Sequence, residues 1–142
     1  MGSRSVASAL MLAVAALYLL AGLRTPASAC GHCVEDKVAA TFDYAVLTRA
    51  AREGHVVVFT EIRGRAAGGG PALEAFIARA LAATSGVDAG TSRVSLEPAA
   101  ASFACDPSRR TPGALVAAVN TRLAARALRL AVIKIDPGVR PR

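Results

Sequence analysis

Residues 92–107 read SRVSLEPAAASFACDP. Val94 and Leu96 alternate with polar neighbours in the first half, and Ala101, Phe103 and Cys105 alternate in the second. Alternation at period two gives each run one apolar face, so the two halves read as strands joined in a hairpin. Upstream, residues 71–86 begin with Pro71, place Leu73, Phe76, Ile77, Ala80 and Leu81 on one helical face, and stop at Gly86. Downstream, residues 111–127 open with Thr111 as N-cap and Pro112 at the first helical position. Their core stripe is Leu115, Val116, Val119, Leu123 and Ala127. A short β-branched run lies outside each helix, HVVVFTEI at 55–62 and LRLAVIKI at 128–135.

The order is therefore strand, helix, strand, strand, helix, strand. With each helix covering the same face of one sheet, the simplest solution is α+β: a ferredoxin-like split βαβ sandwich, βαββαβ. The topology is expected to set strands one and three side by side and parallel. The end of strand three, with Cys105, would then lie beside the loop after strand one.

One more helix precedes this unit. In residues 34–53, Val38, Phe42, Ala45, Val46 and Ala50 recur at helical spacing. Glu35 and Asp36 suit its first turn, Arg49 and Arg52 its last, and Gly54 its stop. Asp36 and Asp43 read as solvated helix positions, and His55 as a solvated loop residue.

The chain opens like an export signal. Arg4 precedes an apolar run over residues 6–23, and Pro26 is followed by Ala27, Ser28 and Ala29 as a small-residue cleavage site. Cleavage after Ala29 makes the protein periplasmic or secreted. Lipid anchoring at Cys30 is disfavoured by Ala27, which stands where a lipidation site usually has leucine. The resulting divisions are 1–29, signal peptide; 30–54, cysteine-containing segment and helix; 55–136, sandwich domain; 137–142, polar tail. Of the 142 residues, 113 remain; the leader takes Arg4 and Arg24 and no acid, so the net charge falls from +7 to +5. The basic residues are nearly all arginine, scattered, and not interleaved with aromatics, which argues against nucleic acid as a partner.

Three cysteines bear on function: Cys30, Cys33 and Cys105. Cys30-Gly31-His32-Cys33 puts two thiols and an imidazole into four positions at the new N-terminus. Two thiolates so spaced can grip one soft ion such as copper, with His32 adding a nitrogen. The same pair can instead exchange disulfides, if a helix N-terminus lowers the Cys33 pKa; Glu35 and Asp36 oppose that shift. A plain disulfide is the third reading. Cys105 shares the Phe103 face and reads as a small core residue, or as a third thiolate if the N-terminal segment folds over the sheet edge. Arg63, Arg65 and the glycines before Pro71 have no Walker-type lysine and serine, so phosphate binding is not expected there.

Residues 85–120, SGVDAGTSRVSLEPAAASFACDPSRRTPGALVAAVN, resemble the heavy-metal-associated domain family of copper chaperones, metal-pump N-termini and periplasmic mercury-binding proteins. The shared features are Gly86-Val87 after the first helix, two alternating strands, Asp106-Pro107 and Thr111-Pro112. That family carries two metal cysteines in the loop after the first strand. Here the loop is RGRAAGGG, residues 63–70, without Cys, His or Met, so the family's ligands transfer to nothing in it. The resemblance implies an exported protein for capture or delivery of a soft metal. With the loop pair absent, either the metal site has moved to the added N-terminal segment with Cys30 and Cys33, or the domain is a relic that no longer binds metal. The alternatives are a thiol-disulfide oxidoreductase using the same pair, or a metal-free module docking to a membrane transporter or oxidase.

Overall fold

The computed structural model describes residues 33–64 and 69–138. The expected leader, Cys30, His32 and the end of the polar tail lie outside the described residues. The described residues form a mixed α+β structure with one four-stranded sheet and four α-helices. In chain order these are α1 (Val34–Ala40), α2 (Tyr44–Glu53), β1 (Val56–Gly64), α3 (Pro71–Ala82), β2 (Arg93–Ser95), β3 (Ala100–Cys105), α4 (Pro112–Leu123) and β4 (Leu128–Asp136). A single turn of 3-10 helix, Ala124–Arg126, joins α4 to β4.

The strands lie in the order β2-β3-β1-β4, and every neighbouring pair is antiparallel. This corrects the expectation that strands one and three run parallel. β3 does lie beside β1, but in the opposite direction, with Val56 facing Cys105 and Glu61 facing Ala100. The cause is the hairpin itself. β2 pairs with β3 through a tight turn closed by Ala99 N–H donating to the Leu96 carbonyl at 3.0 Å. That turn sends β3 back between β2 and β1. The end of β3 therefore lies at the start of β1, and Cys105 is at the opposite end of the sheet from the loop after β1.

Both crossover helices carry the signals read in the sequence. Thr111 accepts from the Ala114 N–H at 3.3 Å as N-cap of α4, with Pro112 following. Gly70 precedes Pro71 at φ 85° and ψ −169°, a conformation open to glycine. Leu73, Ile77 and Leu81 of α3 and Leu115, Val119 and Leu123 of α4 pack with Val58, Phe103, Cys105 and Leu130 in one core on one sheet face. Ala127 ends the connection in the left-handed region, at φ 54°, rather than joining the α4 stripe. Phe76 is only half-buried and lies under the Arg126 guanidinium, 4.6 Å from its ring centre.

The opposite face is filled as well. Val46, Leu47 and Ala50 of α2 pack on Val57, Phe59 and Ala104, with Val38 of α1 and Ile133 at the margin. This explains the unbroken apolar run of β1. A strand covered on both faces buries successive side chains rather than alternate ones. All six residues of β3 are buried, and those turned toward α1 and α2 are small: Ala100, Ser102 and Ala104. Ser102 donates to the Thr41 carbonyl at 2.9 Å, fixing the elbow between α1 and α2 on the sheet.

That elbow replaces the single helix expected over residues 34–53. Asp43 caps α2, its carboxylate accepting from the Val46 N–H at 3.1 Å. An aspartate that can bond a backbone N–H two or three residues on favours a helix start over a helix interior. Thr41 turns its hydroxyl onto the Lys37 carbonyl at 3.2 Å, closing α1. The periodicity carried across a break, so Phe42, expected in the core stripe, is 51 % exposed.

Candidate functional site

Cys33 is the residue of the Cys30-Gly31-His32-Cys33 segment that falls within the described residues. It is the exposed, free residue at the N-cap of α1. Its thiol pKa is raised. The first cause is the Asp36 carboxylate, which accepts a hydrogen bond from the protonated thiol; the Asp36 N–H works in the opposite sense, and Glu35 adds to the rise. The carboxylates thus prevail over any lowering by the helix, whose seven residues make less than two turns. These carboxylates favour the protonated form of Cys33.

Cys105 occupies the opposite kind of place. It is fully buried in the core against α3 and α4, and burial, aided by the charges of Asp88 and Asp106, pushes its thiol up to about 11. A thiol so placed is neutral at physiological pH and sealed from solvent.

The loop after β1 contributes no soft ligand in the sequence, and residues 65–68 lie outside the described residues. Arg63, at its start, is paired with Glu61, which also receives Lys37 of α1. The Lys37 ammonium, followed by Arg63, holds the Glu61 carboxyl below its ordinary range. Beside Cys33 in the chain runs an apolar groove of about 450 Å³, lined by Val34, Glu35, Val38, Ala39, Phe42 and Lys134 of β4.

A second cluster was missed in the sequence. His55 is not a solvated loop residue: its side chain is 21 % exposed, and Nδ1 lies 2.7 Å from Asp88 Oδ2 and 3.6 Å from Glu53 Oε2. Glu53 ends α2, Gly54 turns the chain at φ 74°, and His55 leads into β1. Asp88 arrives from the turn after α3, 33 residues further on. The nearby Glu53-Gly54-His55 spacing was the available signal; Asp88 carried none, because only the fold brings it there.

In comparisons with known proteins, the chain matches no protein-family model, no curated protein and no solved structure.

Proposed function

We propose that this protein is exported and binds a soft metal ion, copper above all, through Cys30 and Cys33 with His32, for capture or delivery. The fold we propose for it is the ferredoxin-like split βαβ sandwich of the heavy-metal-associated domains, with α1 and α2 laid over the second sheet face. The strand order β4-β1-β3-β2, with α3 and α4 as crossovers on one face, supports the fold reading.

One observation carries the metal reading: Cys33 is exposed and free, while Cys105 is sealed in the core. The solvent-facing sulfur of the described residues is therefore the one in the Cys-x-x-Cys segment. A soft ion binds by displacing the thiol proton, and Glu35 and Asp36 beside Cys33 add a field that favours a cation. Thiol-disulfide exchange draws on a lowered thiol pKa, and Cys33 is shifted the other way. The reading of a metal-free docking module draws on the apolar groove next to Cys33.

Metal analysis of the protein isolated from the periplasm, beside its Cys33→Ser variant, tests the proposal. Bound copper in the parent and none in the variant is the expected result. Insulin reduction by a metal-free parent, lost in Cys33→Ser, would replace it with the oxidoreductase reading. Absence of both metal and activity would leave docking as the function.

A further inference from the structure

We propose that Glu53, His55 and Asp88 form a second cation site, of nitrogen and oxygen donors, that takes a divalent ion of the zinc type. It is separate in residues and in chemistry from the sulfur site proposed above. One ligand atom from each of the three side chains lies within 4.8 Å of the other two. Tetrahedral zinc with ligand bonds of about 2.0–2.1 Å spaces its donors by roughly 3.3 Å, so a small closure of the three side chains brings them to an ion. The 3.6 Å separation of His55 Nδ1 and Glu53 Oε2 is already close to that spacing. The 2.7 Å contact of Nδ1 with Asp88 Oδ2 would open by a few tenths of an ångström or pass to the other carboxylate oxygen.

Charge distinguishes this cluster from a surface ion pair. Among the described residues, Glu53 and Asp88 make ion pairs with His55 alone, with no lysine or arginine joining them. Two carboxylates converging on one imidazole leave negative charge that a divalent cation neutralises.

The backbone under the site is fixed. His55 N–H donates to the Ala50 carbonyl at 2.8 Å, closing the end of α2, and β1 begins at the next residue. Asp88 N–H donates to the Ala104 carbonyl at 2.9 Å, and the Asp88 carbonyl accepts from Thr91 Oγ1 at 2.7 Å. Ligands carried on anchored backbone hold their geometry before the ion arrives. Three protein donors also leave a fourth position for water, the arrangement of zinc sites that are not purely structural.

The test uses untagged full-length chain carrying Cys30→Ser and Cys33→Ser, so that zinc cannot reside on the sulfur site. Equilibrium dialysis with Zn²⁺ is expected to give one ion per chain and a zinc-dependent rise in melting temperature. Adding Asp88→Asn or His55→Gln is expected to weaken zinc binding by at least about tenfold. Glu53→Gln, at a half-exposed helix end where the fold is least disturbed, should do the same and decides the matter if the others unfold. No zinc bound by the double-serine chain, or equal binding by the folded Glu53→Gln chain, overturns the proposal. Neither outcome bears on copper binding by the parent, which fails or succeeds on its own.

Discussion

Asp43 joins two parts of the chain that lie 50 residues apart. It caps α2 and takes Arg93 of β2, with Arg93 Nη2 at 2.6 Å and Nε at 3.0 Å. The Val46 N–H first, and Arg93 next, hold its carboxyl below the usual range. A carboxyl lowered by folding stabilises fully above its ordinary pKa of about 3.9, and the contribution is lost as pH falls through the lower native value. Asp43→Ala is expected to cost about 1 kcal/mol at neutral pH, from loss of the cap. The deficit should shrink in acid, as urea melts at the two pH values would read. Cys105 has the opposite sign. Its pKa is raised on folding, so its contribution is present below the ordinary thiol pKa of about 8.5 and fades as pH rises through about 11. Cys105→Ser puts a hydroxyl among Leu81, Leu115 and Phe103 and should cost on the order of 1–3 kcal/mol if it finds no partner. A thiol reagent at pH 8 should label exposed Cys33 in the folded chain, slowly for an exposed thiol because its pKa is raised, and reach Cys105 only on unfolding.

At the scale of elements, the decisive feature is that both sheet faces are covered. Ala104 faces α2, and Ala101, Phe103 and Cys105 face α3 and α4. Ala104→Leu is therefore expected to overpack the α2 layer and cost about 1–3 kcal/mol in chemical denaturation. On a sheet with that face open to water, the same change would be nearly neutral. The crossover helices were legible because their signals are local: Thr111-Pro112 at one start, Pro71 after glycines at another, apolar stripes between. The hairpin was legible for the same reason, although β2 closes at Ser95 and Leu96 belongs to the turn. The break at Thr41 and Asp43 was not, because apolar spacing continued across it. Local caps at Asp43 and Thr41 make the break, and two bonds from distant strands hold it: Ser102 on the Thr41 carbonyl and Arg93 on the Asp43 carboxylate.

For the whole molecule, strand direction follows from connectivity, and it separates groups that a parallel arrangement would have joined. Cys105 sits at the β1 start, near the turn that carries Asp88, while Arg63 and Gly64 sit at the β1 end. The cysteine segment was legible as a motif, since its residues are adjacent in the chain. The Glu53, His55 and Asp88 cluster was not, since its members meet only through the fold. The metal reading is tested most directly by anaerobic Cu(I) titration of the exported protein against a competing chelator. One Cu(I) per chain is expected for the parent and for Cys105→Ala, and none for the Cys30→Ser, Cys33→Ser chain. Retention of Cu(I) by that double variant, or no Cu(I) on the parent, would contradict it.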